Sequence, residues 1–163
     1  MDEIKTSEKS SKTLLILCRL SLVYVILNLL SSSSNLLNGP ETIEQLDHKF
    51  VYTSNLFDSF GKSPEIAWMK ESIYQRMLAI NTSFYKFWTL SLITQITGLI
   101  GVIYMLRTNK IGFHFYVCYT ILTVSFNYFV IPLKLVMPTE IIVNALFNGF
   151  WVFLYVRQLK IMK

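Results

Sequence analysis

The stretch FWTLSLITQITGLIGVIYML at residues 87–106, followed by RTNK at 107–110 and IGFHFYVCYTILTVSFNYFVIPL at 111–133, decides the fold. Neither apolar run contains Asp, Glu, Lys or Arg. About 20 helical residues cross the ~30 Å hydrocarbon core of a bilayer, so both runs span it unaided. The four polar residues between them allow only a tight hairpin, which makes the two helices antiparallel neighbours.

Working outward, residues 141–156 form a shorter uncharged run, opened by Pro138-Thr139-Glu140 and closed by Arg157. It crosses if it stands upright. An earlier run starts at Thr13 and holds one charge, Arg19, close enough to its start for the guanidinium to reach the headgroups. A composition of 53% hydrophobic and 15% charged residues agrees with a membrane protein rather than a soluble domain. The expectation is an all-α integral membrane protein, a four-transmembrane-helix bundle with spans at about 13–35, 86–106, 111–135 and 140–157. Residues 1–12 form a polar, disordered tail and residues 13–163 one membrane domain. A rival reading of the first run is a cleaved signal peptide, since Lys5, Lys9 and Lys12 precede it and Ser31 to Ser34 follow. Three acids in the tail and the lack of an Ala-x-Ala site argue against it.

Orientation follows from the basic residues. Lys5, Lys9, Lys12, Arg19, Arg107, Lys110, Arg157, Lys160 and Lys163 fall at one set of span ends, in short segments. Lys49, Lys62, Lys70, Arg76, Lys86 and Lys134 are spread over a longer stretch on the other side. The positive-inside rule puts both termini in the cytoplasm. The net charge of +5 is then a consequence of topology and does not call for nucleic acid.

The long outer segment, about 40–85, begins after Asn38-Gly39-Pro40, a helix stop. Ile43, Leu46, Phe50, Phe57 and Phe60 recur at roughly helical spacing, predicting an amphipathic helix in the first extracytoplasmic loop. Ser63-Pro64 reads as an N-cap and a proline at the first helical position. From Pro64 the pattern predicts one helix running to Leu106, with a break at Asn81-Thr82-Ser83 as the alternative. That tripeptide also matches the N-glycosylation sequon, by chance in this reading because it lies so near the membrane. Pro132 is expected to kink the last turns of the third span. Lys134 beside it is expected to snorkel, with anion binding as the alternative.

The functional candidates are the polar residues inside the spans, since their cost in lipid turns them toward protein or water. Asn28, Gln95, Asn127, Asn144 and Asn148 all fall in the outer half of the bilayer and are expected to converge in a polar cluster. They serve either as interhelical glue or as a path for a small solute. No span contains an acid, which counts against a carboxylate-coupled transporter. Gly98, Gly101, Ala145 and Gly149 are small residues at helix-packing spacing, suited to internal contacts or to homo-oligomerisation. Cys18 and Cys118 read as packing residues. His48, beside Asp47 and one turn from Glu44, lacks the further ligands a metal site needs, and His114 reads as packed or interfacial. No catalytic residue, metal or cofactor is expected.

At Lys110-Ile111-Gly112-Phe113-His114-Phe115-Tyr116-Val117, and again from Leu146-Phe147-Asn148 to Leu154-Tyr155-Val156-Arg157-Gln158-Leu159-Lys160, the chain resembles small bacterial four-span membrane proteins of unknown function. The resemblance covers mainly the C-terminal half and implies the same topology, in a bacterial inner membrane, with no catalytic or binding residue to carry over. The functional expectation is a non-enzymatic structural or partner-binding subunit. Its partners would be the lipid bilayer and a protein or a second copy of the chain. A solute transporter or channel using the amides is the alternative, and a lipid-modifying enzyme a distant third.

Overall fold

The computed structural model describes residues 2–59, 61–136 and 138–163, with side chains from Lys12 onward except that of Pro138. All regular structure among them is helical: α1 (Asp2–Asn38), α2 (Ile43–Asp58), α3 (Pro64–Thr82), α4 (Phe84–Leu106), α5 (Lys110–Val130) and α6 (Pro138–Val156). Single 3-10 turns follow α5 at Leu133–Leu135 and α6 at Leu159–Ile161. Among the described residues four helices are long and apolar enough to cross a membrane: α1 from Lys12, α4, α5 and α6.

Helix α4 is the centre of the bundle, packed along α5 on one side and α1 on the other, while α6 rests more lightly on α5. The reason is written in α4's buried residues. Phe84, Phe87, Ser91, Thr94, Gly98, Gly101 and Met105 recur at alternating intervals of three and four, a seam that stays on one face. Gln95 and Val102 widen it. The core formed there contains Leu17, Cys18, Val25, Val102, Met105, Tyr116, Tyr119 and Tyr155.

The α4–α5 turn is tight because it closes as a Schellman motif. The Asn109 N–H donates to the Tyr104 carbonyl (3.0 Å) and the Thr108 N–H to that of Met105 (2.9 Å). Asn109 then caps α5, its Oδ1 accepting from the Ile111 N–H at 2.9 Å. The motif needs a left-handed residue, and here it is Thr108, at φ 57°. A β-branched side chain is strained there. Thr108→Gly is expected to raise stability by about 1 kcal/mol, read as a higher unfolding midpoint in detergent. A lower midpoint would show that the threonine hydroxyl, bonded to the Arg107 carbonyl at 2.7 Å, outweighs the strain.

Several expectations are corrected. Pro132 does not kink the third span but ends it: α5 stops at Val130, and Ile131 is extended at φ −96°, ψ 130°. A proline crowds its predecessor out of the helical region, and Ile131 yields. The third helix long and apolar enough to cross a membrane is Lys110–Val130. Residues 64–106 form two helices, because Ser83 leaves helical geometry at φ −104°, ψ 28°. The backbone ladder still bridges that residue, from the Ser83 N–H to the Ala79 carbonyl and from the Phe87 N–H to the Ser83 carbonyl. The polar tail is helical from Asp2. Extending an existing helix is far easier than nucleating one.

The α2–α3 connection sits at one end of the bundle. Thr42 and Gln45 form a capping box that starts α2. Ser63 caps α3, accepting from the Ile66 N–H at 3.4 Å with Pro64 at the first turn. At the opposite end the Lys163 N–H donates to the Thr108 carbonyl (2.6 Å) and the Lys110 N–H to that of Lys163 (3.0 Å). The C-terminal residues are thereby tied to the α4–α5 turn, and Arg107, Lys110, Lys160 and Lys163 gather at that end.

Candidate functional site

The polar interior has two parts, and the sequence reading anticipated one. The unanticipated part is a set of hydroxyls between α1, α5 and α6. Ser21 Oγ accepts from the Tyr155 hydroxyl at 2.9 Å and lies 3.4 Å from that of Tyr116. Ser32 and Ser91 pair across α1 and α4 at 2.9 Å. In an apolar surrounding a lone hydroxyl is costly, so these groups find each other and fix the mutual depth of the four helices. The signal was available: Tyr116, Tyr119 and Tyr155 lie within apolar runs, and Tyr116 and Tyr119 share one face of α5. Cys18 is buried in the same core, whereas Cys118 is exposed.

The five amides are distributed over several places. Asn127 and Asn144, from α5 and α6, line one small cavity of about 10 Å³ with Tyr128 and Glu140. Asn148 donates to the Asn144 carbonyl at 2.8 Å and lines a separate cavity of about 60 Å³ with Ser21, Tyr24, Tyr116 and Tyr119. Asn28 donates to the Tyr24 carbonyl of its own helix at 2.8 Å. Gln95 is buried within α4, its Oε1 unpartnered. A single depth along four helices does not decide which way each side chain turns, and the rotations differ.

The orphaned Gln95 oxygen gives a direct test. Removing an unsatisfied buried acceptor while keeping its volume recovers the desolvation penalty. Gln95→Met is expected to stabilise the protein by about 1–2 kcal/mol in detergent unfolding. Destabilisation would mean that the amide has a partner in the membrane.

The small residues also divide. A Cβ on Gly98 would stand 2.8 Å from the Tyr119 ring, and one on Gly101 2.8 Å from the Tyr116 nitrogen. Gly112, opposite Gly101, is tighter still. Gly101 and Gly112 let α4 and α5 touch backbone to backbone, and Gly98 makes room for the Tyr119 ring. Gly149 meets nothing within 4 Å and Ala145 is exposed, so the α6 pair lies on an open face.

The second candidate is the α2–α3 unit and its anchors. Arg76 of α3 grips Glu140 of α6 with both terminal guanidinium nitrogens, Nη2 to Oε1 at 2.8 Å. Asn81 holds Glu41 by its backbone, accepting from the N–H at 2.9 Å and donating to the carbonyl at 2.8 Å. The sequon asparagine therefore has its amide engaged at the end of a helix. Within the unit, the Tyr74 hydroxyl donates to Asp47 Oδ1 at 2.7 Å, which holds the phenol above its ordinary pKa. Lys70 pairs with Asp58 at 2.6 Å. Lys86 at the start of α4 caps α5 by donating to the Phe129 carbonyl at 2.8 Å, and Lys134 is exposed in the following turn. His48 and His114 are exposed.

Comparison with protein-family models, with curated proteins and with solved structures finds no match to this chain.

Proposed function

We propose that this chain is a non-enzymatic integral membrane subunit whose α2–α3 unit, outside the bilayer, binds a protein partner. Both termini lie in the cytoplasm, and the membrane is a bacterial inner membrane. The amphipathic α2 and α3 form the first extracytoplasmic loop. The observation that carries this reading is the anchoring of that unit. Arg76–Glu140 ties it to α6 and Asn81–Glu41 holds its two ends together, while Val51, Tyr52, Leu56 and Trp68 remain exposed. A held surface with large aromatic and aliphatic side chains needs little ordering on binding, and aromatic residues are the usual anchors of protein interfaces.

The orientation is supported by the cations at the end of the bundle that carries the α4–α5 turn and by the short loop there. The exposed apolar face of α6, including Ile142, Leu146, Phe150 and Phe153, suits lipid or a second copy of the chain. The alternative of a solute path finds little space. The cavities at Asn144 and Asn148, about 10 and 60 Å³, admit one water and a few waters respectively. Ligand sites typically run to ~300 Å³ or more.

A photo-crosslinking amino acid at Tyr52 or Trp68, activated in cells, tests the proposal. Both positions should capture the same protein, and a control at Leu146 should not. Capture of lipid alone removes the partner. Capture of the chain by itself from Leu146 replaces it with a homo-oligomer.

A further inference from the structure

We infer that the cavity between the end of α1, α2, α3 and the start of α4 binds a zwitterionic phospholipid whose headgroup carries a primary ammonium. This inference rests on the chain spanning a membrane. The cavity measures about 210 Å³, several times the volume of the polar cavities within the bundle. Its floor is apolar, with Leu46, Phe84 and Trp88, and its rim is polar, with Asn35, Glu41 and Lys49. One half of the lining suits a hydrocarbon chain and the other half a charged headgroup.

Depth supports a lipid. From Lys12 to Asn35 the helix rises roughly 35 Å, slightly more than the ~30 Å hydrocarbon core, so Asn35 stands at headgroup level when Lys12 lies at the other surface. Trp88, one turn into α4, sits where interfacial tryptophans gather. The cavity therefore opens at the boundary between acyl chains and water, and an amphiphile can enter it sideways from the leaflet.

The rim selects the headgroup. Glu41 and Lys49 are ion-paired, with side chains 30% and 60% exposed. An exposed pair of this kind is weak and exchanges easily. A headgroup with its own opposite charges can insert into it, phosphate to Lys49 and ammonium to Glu41, without leaving either unpaired. Asn35 adds an acceptor, because its nitrogen already donates to the Ser31 carbonyl at 2.8 Å and its amide oxygen is the group left to accept from an ammonium. A primary ammonium donates hydrogen bonds to both groups, and a quaternary one donates none. Glu41 is positioned for this by its backbone, which Asn81 clamps on both sides. Its carboxylate can be removed without releasing the clamp.

The test is native mass spectrometry of the full chain after equilibration with equal amounts of phosphatidylethanolamine, phosphatidylcholine and phosphatidylglycerol. Phosphatidylethanolamine is expected to be retained at least fivefold over the other two. The double variant Glu41→Gln, Lys49→Met should reduce that ratio to about one, with its unfolding midpoint close to wild type. Equal retention of the three lipids by wild type, or an unchanged ratio in the variant, overturns the inference. Soluble glycerophosphoethanolamine is the second arm. Displacement of the lipid by it at millimolar concentration would show that the site takes a free headgroup and overturn the lipid assignment. Quenching of tryptophan by brominated phosphatidylcholine in vesicles separates the two levels of failure. No quenching means the chain does not enter the bilayer, while quenching without headgroup preference removes the site alone.

Discussion

Gly112→Ala is expected to destabilise the protein by about 3 kcal/mol or more, and in practice to abolish assembly of the bundle. A Cβ on Gly112 would lie 2.5 Å from the Met105 nitrogen and 2.6 Å from the Gly101 oxygen. Both obstacles are backbone, so no side chain can swing aside. Helices α4 and α5 would have to separate along the whole contact, and the hydroxyl set at Ser21 and Tyr116 would lose its spacing. Gly101→Ala should follow closely, since its Cβ meets the Tyr116 nitrogen and the Gly112 oxygen at 2.8 and 3.1 Å. Gly98→Ala should be milder, because its obstacle is the Tyr119 side chain rather than backbone. Gly149→Ala is the control: its Cβ enters open space, and alanine is the better helix former, so stability should stay level or rise by about 1 kcal/mol. Unfolding of the four variants in mixed detergent, followed by tryptophan fluorescence, gives the ranking. If Gly112→Ala and Gly149→Ala unfold together, α4 and α5 do not make this contact.

The second large effect is expected at Asn81. Asn81→Ala removes both bonds to the Glu41 backbone and leaves a part-buried N–H and carbonyl unpaired, a loss of about 2–3 kcal/mol concentrated at that end of the bundle. The consequence is local: the α1–α2 linker opens and α2 loses its fixed position, while the α4–α5 contact is untouched. Amide exchange at Glu41 should accelerate some 30-fold or more, with little change at Val102 or Met105 in the core. Asn81→Asp keeps the acceptor and loses the donor, so it should fall between. The same bonds predict that Asn81-Thr82-Ser83 remains unmodified in a glycosylating membrane. Attachment of a glycan there would show that the clamp opens before or during insertion. Uniform acceleration across the core in Asn81→Ala would mean that the linker is not a separate unit.

The spans were legible because hydropathy acts over a whole helix and tolerates local detail. The punctuation was legible where one residue dictates its own geometry, as at Gly39, with φ 77°, and at the Ser63-Pro64 start of α3. Pro132 was misread in its effect, because a proline near a helix end constrains the residue before it, and Ile131 ends the helix sooner than bending would. The three-four seam of α4 was present in the residue order and accounts for its central place. The amides illustrate the opposite case. Position along the run sets only one coordinate of a side chain such as Asn28 or Gln95, and helix rotation sets the other.

By itself the sequence determined that four runs are long and apolar enough to cross a membrane as helices, and which of their ends collect the basic residues. Those properties follow from local transfer energies and backbone preferences. Tertiary structure decided that Tyr116, Tyr155 and Ser21 meet, that Asn81 clamps Glu41, and that Gly112 stands against Gly101 while Gly149 faces open space. The physical reason is that such pairings depend on the relative rotation and translation of helices. Between apolar surfaces that are nearly equivalent in lipid, close backbone approach and a few hydrogen bonds select one arrangement.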